Sequence, residues 1–162
     1  VEPSFIRTEA DELTYHFHVM VRYEIEKALI EGSLDPKDLR EQWNLLYNRY
    51  LGITPKDDKT GVLQDVHWSH GMFGYFPTYS LGSFYAAQFF GQVSKDIPEL
   101  TEKIQKGELQ PILHWLRGKV HQYGRRYTSE ELCERITGSK LDTNQFMYCA
   151  RKKFGQVYGI SL

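Results

Sequence analysis

Apolar residues recur at helical spacing in segment after segment of this chain, and they almost never alternate with polar ones in the way that marks a half-buried strand. That period predicts an all-α fold. In residues 10–31, Leu13, Phe17, Met20, Val21 and Ala28 follow i, i+3, i+4 spacing, while Val19, Tyr23 and Ile25 add apolar surface on the other flank. One long helix, covered on more than one side and stopped by Gly32, is expected there. Asp35 before Pro36 predicts a capped helix running to about Tyr50 and closed by Gly52. Residues 53–66, with Pro55, a Lys/Asp cluster and Gly61, read as a surface connection. After Pro77 the run 78–93 is apolar almost all round, which predicts a buried helix. Asp96 with Pro98 opens a short helix to Lys106, and 109–120 is amphipathic. Thr128-Ser129-Glu130-Glu131 is a capping box for a helix to about Thr137, and Asp142 or Thr143 caps the last helix, which runs through Val157. The sum is a compact bundle of about six to seven helices in a single helical domain or subdomain, 1–162.

Charge and cysteine usage exclude several classes of function. Twenty Lys and Arg against 21 Asp and Glu leave a formal charge of -1, so no global field attracts nucleic acid or an anionic membrane. The basic clusters Arg125-Arg126 and Arg151-Lys152-Lys153 are too small to change that. No apolar run approaches the roughly 18 to 20 residues of a membrane span. Cys133 and Cys149 fall in separate predicted helices without a C-x-x-C pair, and are expected as free thiols of a cytoplasmic chain. The start, Val1-Glu2-Pro3-Ser4, has no initiator Met, which fits a processed chain or a segment of a longer one.

Chemistry concentrates in "GVLQDVHWSHGMFGYFPTYSLG", residues 61–82. His67 and His70 stand at i, i+3, but zinc needs at least three protein ligands and no nearby Cys, Glu or third His completes the set. His16 and His18, two apart on a helix, point about 200° apart and read as structural. Tyr75 and Tyr79 project from one face if the helix has already begun, either as core residues or as phenols that donate to an oxyanion. Arg7, just before the first helix, is either an ordinary ion-pair partner or a fork for a carboxylate. H-E-x-x-H, G-x-S-x-G and a phosphate loop are all absent from the 162 residues.

Ile6-Arg7-Thr8-Glu9-Ala10-Asp11 fits I-R-x-x-A-D, and Gly61-Val62-Leu63-Gln64-Asp65-Val66-His67-Trp68 fits G-x-x-Q-D-x-H-W. Both resemble signatures of the carboxypeptidase Taq family of zinc metallocarboxypeptidases. The similarity continues through Gly74-Tyr75-Phe76-Pro77-Thr78-Tyr79, His121-Gln122-Tyr123-Gly124-Arg125 and Lys153-Phe154-Gly155. In that family H-P-F, D-x-R-x-T and H-E-x-x-H motifs, with a further glutamate ligand, precede I-R-x-x-A-D. The resemblance therefore implies the C-terminal portion of a larger helical, gluzincin-like peptidase that removes C-terminal residues from peptides. Zinc would sit in the missing N-terminal part, and these residues alone would be inactive. It further implies Tyr79 as the transition-state phenol, with Tyr75, His67 and His70 beside it on the cleft wall. Either His67 or His70 would contact substrate, and either Arg7 or the arginine of the upstream D-x-R-x-T motif would grip its terminal carboxylate, while Gln64 and Asp65 orient these groups. A homodimer is also implied. The rival expectation is a stand-alone helical peptide- or protein-binding module without catalysis.

Overall fold

The computed structural model describes residues 1–161. Its helices are α1 (Tyr15–Ile30), α2 (Leu39–Leu51), α3 (Pro77–Asp96), α4 (Leu100–Gln105), α5 (Gln110–Lys119), α6 (Ser129–Thr137) and α7 (Thr143–Tyr158), and no strand occurs among the described residues. The all-α expectation holds. Contacts gather the chain into two units, Val1–Leu81 and a second from Gly82 onward.

In the first unit, the helix predicted from Ala10 begins instead at Tyr15, and Asp11 is the reason. Its Oδ1 accepts the backbone amides of Leu13 (2.9 Å) and Thr14 (3.0 Å), while Oδ2 accepts the Thr14 hydroxyl (2.9 Å). A carboxylate that satisfies these amides replaces the turn of helix that would have used them. α1 then packs on α2 through Val21, Ile25, Trp43, Leu46, Tyr47 and Leu51. Burial of each such side chain contributes roughly 1.5 to 3 kcal/mol. Gly52 ends α2 at φ 69°, a left-handed conformation that other residues adopt only with strain.

His18 is fully buried in this core, as a structural residue. Its Nδ1 lies 3.0 Å from the Tyr47 hydroxyl, and its Nε2 has no hydrogen-bond partner. Burial, reinforced by the charges of Arg22 and Arg7 and opposed by Asp65 and Asp11, lowers its pKa to about 4. The unfolded chain takes up this proton near 6.5. The stability gained from a neutral His18 is therefore complete above pH 6.5 and is lost as pH falls toward about 4, on the order of 3 kcal/mol in all. Thermal melts across that range should show the decline, and His18→Gln should flatten it. An equal slope in the variant would place the acid sensitivity elsewhere.

In the second unit Val93, Leu100 and Trp115 form the core, with Phe89, Ile112 and Ile136 against them. Gln88, only 4% exposed, ties the end of α6 to the start of α7: its Nε2 donates to Ser139 Oγ and the Lys140 carbonyl (each 3.0 Å), and its Oε1 accepts the Asp142 amide (2.8 Å). The capping box is formed as read, with Glu131 Oε2 accepting the Thr128 amide at 2.8 Å. Asp142, not Thr143, caps α7. The buried helix expected after Pro77 needs correction. In α3 only Gln88 and Val93 are buried, while Leu81 (41%) and Phe90 (51%) face outward. The short helices α4, α5 and α6 that follow cover one flank of α3, which is too little to enclose a helix that is apolar all round.

Candidate functional site

The first unit brings the two motifs of residues 6–11 and 61–68 together. Gly61 makes the turn that allows it, since a Cβ there would lie 2.8 Å from the Asp57 carbonyl oxygen and 3.3 Å from Pro55 Cβ. Beyond that turn Leu63 and Val66 stay exposed, while Gln64 and Asp65 turn inward. Gln64 is saturated by the chain itself. Its Oε1 accepts the Arg7 amide (2.9 Å), and its Nε2 reaches the Phe5 carbonyl (2.6 Å), the Tyr47 hydroxyl (3.0 Å) and the Thr60 carbonyl (3.1 Å).

Asp65 is gripped from two sides. Arg7 donates to Oδ1 from Nη2 (2.8 Å) and Nε (3.2 Å), and Arg22 donates from Nε to Oδ2 (2.6 Å). Arg22 Nη2 also stands 2.5 Å from Oδ2 as an ion pair, off the direction of a hydrogen bond. Burial alone would raise the Asp65 carboxyl, but hydrogen bonding by Arg7 and the charges of both arginines outweigh it and hold the pKa below the usual carboxylate range. The Arg7 fork is thus filled by an internal carboxylate. Its remaining edge donates from Nη1 to the Tyr15 hydroxyl (3.0 Å), and its guanidinium lies 4.9 Å from the Tyr79 ring centroid. Of the two alternatives open in the sequence, the structure displays the ion pair.

His67 is buried next to this pair, with Nδ1 3.8 Å from Asp65 Oδ1 and Nε2 3.0 Å from the Tyr79 hydroxyl. The first contact is too long for a hydrogen bond, whereas the second is one. The Tyr75 and Tyr79 rings meet edge to face at 5.4 Å, and His67 lies against both at 5.8 Å. Tyr75 lies just before α3, so the two phenols meet through the turn that leads into the helix and not from one face of the helix. Tyr75 is 47% exposed and Tyr79 half-buried, so the phenols sit at the surface of a packed aromatic wall. His70, exposed at the end of the Trp68–His70 turn, lies apart from these contacts. His16 pairs through Nδ1 with Ser80 Oγ at 2.9 Å.

Sequence reasoning missed Arg22, Tyr15 and Glu26. Arg22 is fully buried over the Trp43 ring (4.6 Å) and donates from Nη1 to the His18 carbonyl (2.7 Å). Glu26 Oε1 accepts the Trp68 indole N–H (2.8 Å). The available signal was charge on the apolar flank of α1: Arg22 and Glu26 are four apart and flanked by Val21 and Ile25.

A family model described as carboxypeptidase Taq (M32) metallopeptidase matches residues 1–154. The chain belongs to that family. Among curated relatives it is 48% identical over 159 residues to thermostable carboxypeptidase 1 of Thermus thermophilus, covering 98% of this chain and 31% of the relative. It is 45% identical over 157 residues to carboxypeptidase 1 of Bacillus subtilis, covering 97% of this chain and 31% of the relative. The solved M32 carboxypeptidase of Deinococcus radiodurans superposes with a TM-score of 0.95 at 38% identity, covering 99% of this chain and 32% of that one. The chain thus spans about 31% of the length of the curated relatives it matches.

The M32 description implies a divalent metal. Among the described residues no three His, Cys, Asp or Glu side chains converge as a metal site requires, so the donor set here does not fit one. No helix among them is long and apolar enough to cross a membrane.

Proposed function

We propose that these residues are the C-terminal, substrate-facing part of a zinc-dependent metallocarboxypeptidase that removes C-terminal residues from peptides. The observation that carries this reading is the Tyr79 phenol, held by His67 at the lip of a wall built from both family motifs. In that role Tyr79 donates to the oxyanion of the tetrahedral intermediate, and His67 fixes where the phenol points. Tyr75 presents an exposed ring to substrate, and His70 is reachable by substrate backbone. Gln64 and Asp65 act from behind, by fixing residues 5–7. With the Arg7 fork filled, the geometry favours Arg7 as a support of the wall, leaving the terminal carboxylate of substrate to an arginine upstream. The zinc ligands likewise belong to polypeptide outside these residues. Outward-facing Leu81 and Phe90 support the reading, because a longer chain has material to cover them. The free thiols of Cys133 and Cys149 suit the reducing cytoplasm.

The test compares this chain with a longer polypeptide that adds an upstream H-E-x-x-H segment, by zinc content and by release of C-terminal amino acids from peptides. The longer form should bind zinc and release them, and this chain alone should do neither. Stoichiometric zinc and peptide trimming by the 162 residues alone would overturn the division of labour.

A further inference from the structure

Arg22 belongs to neither motif, yet it is completely buried and bound to the same carboxylate as Arg7. One arginine suffices to neutralise Asp65. The second sets a positive charge on the far oxygen of the carboxylate nearest His67 and, with Glu26 as a second anion, balances the charges around the imidazole. The groups facing that imidazole come from every element packed on it: Asp65 from the same strip of chain, Arg7 from the turn before α1, Arg22 and Glu26 from α1, and the phenols of Tyr75, just before α3, and Tyr79, in its first turn. Glu26 is engaged by the Trp68 indole, and the Phe76 ring covers the imidazole at 4.2 Å. Asp65 is therefore the anion nearest His67 Nδ1, and Arg22 holds the oxygen of Asp65 that Arg7 grips least.

We propose that Arg22 is a positioning residue of the cleft wall, acting through Asp65 to keep His67 uncharged so that its Nε2 stays joined to the Tyr79 hydroxyl by a neutral hydrogen bond. A neutral ring can accept from the phenol or donate to it, whereas an imidazolium can only donate and carries a full charge to the wall. The electrostatics agree in direction. Burial first, opposed by Asp65 and Glu26 and aided by Arg7 and Arg22, holds His67 below its ordinary range. The inference rests on the function proposed above.

The experiment follows His67 by ¹⁵N NMR through an acid titration of this chain, in the parent and in Arg22→Gln and Arg22→Lys. His67 should read as neutral in the parent at about pH 6.5, the ordinary imidazole midpoint. Its midpoint should rise in Arg22→Gln and remain near the parent's in Arg22→Lys, which keeps the charge. An imidazolium in the parent at that pH overturns the proposal with no variant needed, and so does a folded Arg22→Gln chain with an unmoved midpoint. In the longer polypeptide, Arg22→Gln should shift the acidic limb of kcat/KM to higher pH. A loss uniform across pH would show that Arg22 only holds the fold, and would also overturn the proposal. The NMR arm uses no turnover, so absence of peptidase activity would count against the proposed function alone.

Discussion

Asp65→Ala should cost the first unit about 3 to 5 kcal/mol of folding stability, because it leaves two buried guanidinium groups facing each other without an anion. Arg7 and Arg22 side chains are 8% and 0% exposed, and both direct their shortest carboxylate contacts to Asp65. Water cannot take over the lost role at such depth. Domains of this size are stable by about 5 to 15 kcal/mol, so the change removes a large fraction of the total. Urea denaturation reads it directly, and a loss below about 1 kcal/mol would show the cluster to be far more hydrated than its burial indicates. Replacing all three residues by apolar side chains of similar volume should recover much of the loss, since a buried ion pair pays heavily in desolvation and contributes little net stability over good packing. That contrast separates stranded charge from lost shape.

Tyr79→Phe in the longer, metal-loaded polypeptide should lower kcat by about 10² to 10³, the usual effect of deleting one oxyanion donor, with KM little changed. The ring contacts with Tyr15, Tyr75, His67 and Arg7 involve faces and edges that phenylalanine retains. Folding should therefore be nearly unaffected. Steady-state kinetics on peptide substrates provide the measurement, and near-parental turnover would remove the phenol from the mechanism.

The helices and most of their ends were legible because capping residues and apolar period act locally: Gly52, Thr128 and Asp142 do in space what they do in sequence, whereas Asp35 caps the 3-10 turn Pro36–Asp38 that leads into α2. Asp11 misled because a carboxylate that can sit within a helix instead closed a turn of its own. The burial of α3 was misjudged for a different reason, since an apolar residue records a preference for cover without recording whether the chain supplies it. Within the site, the two motifs are brought together by the fold. They could not say that His67 and not His70 meets Tyr79, that the carboxylate partner of Arg7 is internal, or that Arg22 joins it. The last two depend on contacts between residues more than forty positions apart, and the first on how the chain turns between His67 and Tyr79.

The hydrogen bond from the Arg7 amide to Gln64 links residues 57 apart in the chain, whereas α1 and α2 are joined by a short turn. Closing so long a loop carries an entropic cost that the helical pair never meets. Order in the wall therefore depends on distant partners arriving together. Damage at residues 5–7 will be felt at 64–67 well before it reaches the helices beneath.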